Sequence, residues 1–205
     1  MDKRKSIGFF GGSFDPIHAG HIHLALSMLE IYGLDQVLFC PAFISPFKLS
    51  KKPSASASHR LEMIKKAIEP IPHFSLFDYE HKREKVSYTI DSLQHLRAML
   101  DEQGLLCDLY LILGDDTLID LHNWKEIDEV LKLARPLIGM REGAVRVPTQ
   151  LSLQSQARLQ EGMTQMPILD ISSTLLRKRL KKRLYCGHLV PHDVLQYIYL
   201  NKLYE

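Results

Sequence analysis

Apolar runs of strand length alternate along the chain with segments of helical period, and no other feature narrows the fold as much. Such alternation belongs to βαβ units wound into a parallel sheet, because a crossover must carry the chain back before the next parallel strand can form. Strands are expected at Ser6–Phe10, Gln36–Cys40, Phe74–Phe77, Leu109–Leu113, Leu137–Met140 and Met166–Leu169. Several are apolar throughout, as strands buried on both faces should be. Helices are expected at Ala19–Tyr32, stopped by Gly33, at Ser87–Gln103, closed by Gly104, and at Glu126–Leu133, Thr174–Arg183 and Asp193–Tyr199. The Pro- and Ser-rich stretch Pro41–Ser58 reads as a mobile loop. The polar, Gln-rich stretch Gly143–Gln165 reads as either a short helix or a surface excursion and carries no functional signal. The expectation is an α/β fold, one domain over 1–205, with 171–205 as a C-terminal helical portion.

Charge and cysteine usage exclude several classes of function. The 26 Lys and Arg against 24 Asp and Glu leave a net charge of +2, whereas a dedicated nucleic-acid binder or polybasic membrane protein usually carries a one-signed face. The three cysteines, Cys40, Cys107 and Cys186, lie far apart and form no CxxC pair. They suggest neither a disulfide framework nor a zinc site and fit a reduced cytosolic setting. Behind the basic start, Ile7–Phe10 runs into Gly11-Gly12 too soon for a signal peptide. No apolar stretch approaches the roughly 18 residues of a membrane span. A soluble, cytoplasmic protein without nucleic-acid or membrane partners is expected, and a homo-oligomer is compatible with the sequence.

The first chemical motif, GGSFDPIHAGH, runs from Gly11 to His21 and joins the first strand to the first helix. Ligands of doubly wound sheets bind at the carboxyl ends of the strands, where a helix N-terminus offers unpaired N–H groups and a positive dipole end to an anion. Gly11 and Gly12 let the backbone turn close to a phosphate. His18 and His21, three residues apart in the first helical turn, share a face, and each can donate a ring N–H to a phosphate oxygen. In a chain of this composition a chance His-x-Gly-His is expected roughly 0.03 times, so these four letters alone are a modest signal. A metal pair would need a third ligand, which is not visible at a useful spacing, so no metal site is assigned. The loop lacks the GK[ST] of a Walker A motif and the GxGxxG of a dinucleotide fingerprint.

The second motif, ISSTLLR, opens a helix at Ile171 and ends on Arg177. Ser172 or Ser173 is a good N-cap, so an ordinary helix start explains the serines. It does not explain Arg177, whose guanidinium can fork onto phosphate oxygens.

Taken whole, the eleven-residue first motif resembles the phosphate-binding signature of the nucleotidyltransferase superfamily. ISSTLLR looks like the ISSTxIR element of bacterial nicotinate-nucleotide adenylyltransferases. The resemblance implies a Rossmann-like, doubly wound, mostly parallel sheet. It also implies adenylyl transfer from ATP to nicotinate mononucleotide, giving nicotinate adenine dinucleotide and pyrophosphate, with Mg²⁺ carried on the ATP. Under it, Gly11, Gly12, Ser13, Phe14, His18, His21, Ile171, Ser172, Ser173 and Arg177 would hold ATP. Ser87, Tyr88 and Thr89 match the family's SYT element, followed by Ile90, and Gly114 and Asp116 match its GxD. Trp124 stands where the family places an aromatic residue on the nicotinate ring, with the backbone N–H of Lys125 beside it; these residues would hold the mononucleotide. Lys48 corresponds to the lysine ending the PPHK loop, and with His18, His21 and Arg177 it would be catalytic. Three departures stand out: Phe47 replaces the loop histidine, Arg141-Glu142-Gly143 replaces RPG, and Lys125 replaces a second aromatic residue.

Plain alternatives stand beside these roles. Trp124 can be core; one of Asp115 and Asp116 can cap a helix while the other takes ribose hydroxyls; Thr89 can be a helix-start residue. The basic run Arg177–Arg183 can be a solvated face. For the whole chain, the alternatives are an adenylyltransferase for nicotinamide mononucleotide or phosphopantetheine, or a non-catalytic nucleotide-binding module. Phosphopantetheine leaves the SYT, Trp124 and ISST elements unexplained, and intact His18, His21 and Arg177 argue against a degenerate site.

Overall fold

The computed structural model describes residues 4–48, 53–140, 146–167 and 169–205, without the side chain of Lys48. Strand β1 (Lys5–Gly12) leads into helix α1 (Ala19–Tyr32), β2 (Gln36–Pro41), a 3₁₀ turn at Pro46–Lys48, α2 (Ala57–Ile68), β3 (Phe74–Leu76) and α3 (Tyr79–Arg83). There follow α4 (Thr89–Glu102), β4 (Cys107–Gly114), 3₁₀ turns at Asp115–Ile119 and Leu121–Asn123, α5 (Ile127–Leu133), β5 (Arg135–Met140), α6 (Leu153–Glu161), β6 (Met163–Gln165), α7 (Ser173–Lys181) and α8 (His192–Leu200). The strands form one parallel sheet in the order β3-β2-β1-β4-β5-β6. This is the doubly wound order, which reverses direction between β1 and β4. The strands are apolar because both faces are covered: Phe9, Val37, Phe39, Ile112 and Ile138 have no exposed surface.

The chain divides into two compact units. The first comprises Met1–Phe10, Leu24–Leu38 and Tyr88–Ile168. Its register runs from Lys5 opposite Cys107 to Phe9 opposite Leu111, then Tyr110 opposite Arg135 and Ile138 opposite Met163. Arg97 on α4 donates to the Cys107 carbonyl at 2.8 Å, tying that helix to the start of β4. The second unit comprises Gly11–His23, Phe39–Ser87 and Leu169–Glu205. In it α2 packs on α8, with His59 Nδ1 2.9 Å from the Tyr197 hydroxyl. The Phe39 and Phe74 rings meet at 5.0 Å, and Phe77 N–H donates to the Phe39 carbonyl.

Five of the expected strands form within a few residues of their predicted limits, but the sixth is displaced. Instead of Met166–Leu169 the edge strand is Met163–Gln165, because the pairing with β5 begins immediately after α6, where Ile138 N–H donates to the Gly162 carbonyl. Met166 is buried without being strand, which explains why its apolar run misled; Ile168 lies outside the described residues. The expected loop Pro41–Ser58 contains the Pro46–Lys48 turn and the start of α2, a helix not foreseen. Its N-cap is Ser56, whose side chain accepts from His59 N–H, so one of the serines that suggested a loop is a helix start signal. Residues 49–52 of that stretch and Arg141, Glu142 and Gly143 lie outside the described residues. Within Gly143–Gln165 the short-helix alternative is realised as α6, capped by Ser152.

Candidate active site

In the second unit, the segment from Gly11 to His21 folds back on itself before α1 begins. Phe14 adopts φ 45° and is 2% exposed. Its ring lies 5.8 Å from that of Phe39 and edge-on to His21 at 5.0 Å. A Cβ on Gly12 would sit 2.9 Å from the Phe14 ring, so glycine is required there by packing as well as by any phosphate. The Phe14 side chain is therefore core, and only its backbone is available to a nucleotide. His18 precedes the first residue of α1, and its carbonyl accepts the N–H groups of His21 and Ile22. Its ring stacks on that of His21 at 3.7 Å. A Cβ on Gly20 would come within 3.1 Å of His18 Nδ1, which accounts for the glycine between the two histidines.

The two imidazoles have different chemistry. His18 N–H donates to His21 Nδ1 at 3.2 Å, leaving Nε2 as the proton-bearing nitrogen of a neutral His21. His18 is 5% exposed; burial lowers its pKa to about 4, and Nδ1 is buried without a protein partner. Near neutral pH, His18 is thus an uncharged donor rather than a cation.

The second motif meets the first within this unit. Ser172 caps α7, its side chain accepting the Leu175 N–H, as the plain alternative anticipates. Ser173, by contrast, donates its hydroxyl to the Pro16 carbonyl at 2.9 Å. Arg177 Nη1 donates to the Asp15 carbonyl at 2.6 Å, and Nη2 to Thr174 Oγ1 at 3.2 Å. Leu176 is wholly buried and holds the helix in place. Ile171 is half-buried. Gly11 is exposed, and the Ser13 carbonyl is turned inward to Arg60. Lys48 ends the Pro46–Lys48 turn, but its side chain lies outside the described set.

Sequence reasoning passed over three residues here: Asp15, Arg60 and Tyr204. Arg60, 1% exposed, donates to the carbonyls of Ser13, Ala42 and Phe43 at 2.7 to 2.9 Å. An arginine among the apolar residues of α2 was the available signal, since a fully buried arginine must be paired.

Ser87 also belongs to the second unit; its hydroxyl accepts the Phe43 N–H and its N–H donates to the Ile44 carbonyl, a bracing role. The other residues expected to hold a mononucleotide lie in the first unit. Tyr88 is the N-cap of α4 and Thr89 its first residue; Ile90 is 1% exposed and offers only backbone. Lys125 Nζ sits 3.1 Å from Asp91 Oδ1 and 5.0 Å over the Tyr88 ring, so a cation stands at the start of α4. Gly114 ends β4; Asp115 is buried and Asp116 exposed. Trp124 is half-buried directly after the Leu121–Asn123 turn.

Comparison with known proteins gives a consistent picture. The cytidylyltransferase-like family model matches residues 9–179. A relative from Carboxydothermus hydrogenoformans, named "Probable nicotinate-nucleotide adenylyltransferase", is 37% identical over 203 residues, covering 97% of this chain and 98% of that one. A relative of the same name from Dehalococcoides mccartyi is 37% identical over 199 residues, with 96% of each chain covered. Among solved structures, the Plasmodium falciparum nicotinic acid mononucleotide adenylyltransferase complexed with NaAD superposes with a TM-score of 0.77 at 21% identity, over 98% of both chains. That likeness shows the Rossmann-like fold.

Proposed function

The chain belongs to the cytidylyltransferase-like family and, within it, to the nicotinate-nucleotide adenylyltransferases, and from this we propose how its residues carry adenylyl transfer from ATP to nicotinate mononucleotide. A phosphate oxygen of the mononucleotide attacks the α-phosphorus of ATP. The new bond joins that oxygen to the α-phosphorus, the bond to the β-phosphate oxygen breaks, and pyrophosphate leaves. The attacking phosphate is ionised at neutral pH, so no general base is required and catalysis consists of positioning and charge stabilisation.

The observation that carries this reading is the meeting of two motifs some 160 residues apart within one unit: Ser173 on the Pro16 carbonyl and Arg177 on the Asp15 carbonyl. They bring a guanidinium to the segment leading into α1, where His18 precedes the helix and His21 lies in its first turn. Among the described residues, Arg177 donates one N–H to the Asp15 carbonyl and one to Thr174 Oγ1, and a guanidinium has five. His18 and His21 supply neutral donors at the N-terminus of α1, where anions are favoured. Gly11, Gly12, Ser13, Phe14 and Ile171 contribute backbone and shape to the ATP subsite, and Lys48 keeps the catalytic role that the family resemblance gives it. Mg²⁺ enters with ATP, held by nucleotide oxygens and water; among the described residues no group of three or more His, Cys, Asp or Glu is placed to hold it.

For the acceptor, we assign the start of α4 (Tyr88, Thr89, Ile90), Gly114, Asp116, Trp124 and Lys125. A carboxylate only accepts hydrogen bonds, whereas an amide presents an NH₂ that only donates. Helix-start N–H groups at Thr89 and Ile90, with the backbone N–H of Lys125, therefore favour the acid. One charged hydrogen bond corresponds to about 10- to 150-fold in specificity. The test is kcat/KM, read as pyrophosphate release, for nicotinate mononucleotide, nicotinamide mononucleotide and phosphopantetheine with ATP and Mg²⁺. The acid should lead by at least tenfold. Equal values for acid and amide would refute the acid-selective pocket, and phosphopantetheine as the best acceptor would refute the substrate assignment.

A further inference from the structure

The proposed ATP contact, Arg177, does not stand free. Its Nη1 rests on the carbonyl of Asp15 at 2.6 Å and lies 3.7 Å from the Oδ2 of the same residue. Where that carbonyl points is decided by what holds Asp15, and the holding is unusually complete. Asp15 is 4% exposed. Oδ2 accepts the Ser54 N–H at 2.8 Å; Oδ1 accepts the Ala55 N–H at 3.0 Å and the hydroxyl of Tyr204 at 2.9 Å. Tyr204 lies 189 positions away in sequence, beyond the end of α8.

The electrostatics agree with the geometry. Burial, then the charge of Asp15 and the bond to it, push the Tyr204 phenol far above its ordinary pKa, so it remains a donor at any physiological pH. Burial also works against the charge of Arg60, which the carboxylates of Asp15 and then Glu80 support. Arg60 in turn fixes the carbonyls of Ser13, Ala42 and Phe43. A carboxylate with three donors and two guanidiniums near it is held in one orientation, and its own backbone carbonyl is held with it.

We propose that Asp15, clamped by Tyr204, is the positioning residue for Arg177: the Tyr204 hydroxyl, through Asp15, sets the angle at which the guanidinium meets the triphosphate. The proposal rests on Arg177 being an ATP contact. Neither Asp15 nor Tyr204 touches the nucleotide. Removing the clamp should loosen ATP binding through Arg177 and leave the acceptor's KM unchanged.

The experiment is titration of the full chain with ATP and Mg²⁺ by calorimetry, without any acceptor, for the wild type, Tyr204→Phe, Asp15→Asn, Arg177→Ala and the double variant Tyr204→Phe/Arg177→Ala. Circular dichroism and thermal unfolding check the fold; Tyr204→Phe keeps the ring and removes one hydroxyl, so it serves if Asp15→Asn does not fold. Tyr204→Phe should weaken ATP binding by roughly threefold to tenfold, the range for a residue acting through another. In the Arg177→Ala background the same change should have no effect. An unchanged affinity in Tyr204→Phe, or an equal loss in both backgrounds, overturns the positioning role. If Arg177→Ala itself binds ATP as the wild type does, the ATP subsite is wrong and the proposal falls with it, an outcome read from a different variant.

Discussion

His18 shows how one buried side chain ties chemistry to stability. Its folded pKa of about 4 lies below the ordinary 6.5 because burial penalises the cation. As pH falls through this interval the unfolded chain takes the proton first. The contribution is therefore complete above pH 6.5 and lost progressively down to about pH 4. At 1.36 kcal/mol per pKa unit it amounts to about 3 kcal/mol. The difference in unfolding free energy between wild type and His18→Asn should accordingly shrink as pH is lowered from 7 to 4.5, and a difference constant with pH would contradict a buried neutral His18. His18→Ala should lose turnover by about 10² to 10³ at pH 7.5, the cost of removing a donor aimed at developing charge. The sequence displays His18 and His21 because their spacing is local. It gives no sign of Asp15, Arg60 and Tyr204 as a group, since their bonds join residues from 17 to 189 positions apart and nothing in the letters near any one of them reports the others.

Among the elements, the edge of the sheet is where local pattern and tertiary pairing diverge most. Apolar residues marked Met166–Leu169 as strand, yet the hydrogen bonds fall on Met163–Gln165, because α6 ends at Glu161 and the carbonyl of its next residue already accepts the Ile138 N–H. Gly162 allows this abrupt hand-over: a Cβ there would run into the Pro136 carbonyl. Gly162→Ala should cost about 1 to 3 kcal/mol through overpacking and reduce hydrogen-exchange protection in β6 before that in β1 or β4. Unchanged stability would show that the edge strand can shift to accommodate a methyl group. The central strands were legible because burial on both faces makes them apolar throughout. Helix α2 was not, because its buried face includes Arg60 and its cap Ser56 sits in a Pro- and Ser-rich run that resembles a loop.

At the scale of the whole molecule, the doubly wound parallel sheet and the family follow from features spread along the full chain, and the matches at 37% identity likewise cover nearly all of it. No helix of the described residues is long and apolar enough to cross a membrane. The central claim is that the adenylyl group, rather than a terminal phosphate, moves from ATP to the mononucleotide. The fate of an α-phosphate label tests it most directly: ATP labelled at the α-position is incubated with the protein, Mg²⁺ and nicotinate mononucleotide, and the products are separated and quantified. All transferred label should appear in nicotinate adenine dinucleotide, with one unlabelled pyrophosphate per dinucleotide and none on the protein. Label accumulating in ADP or AMP with no dinucleotide formed would contradict adenylyl transfer.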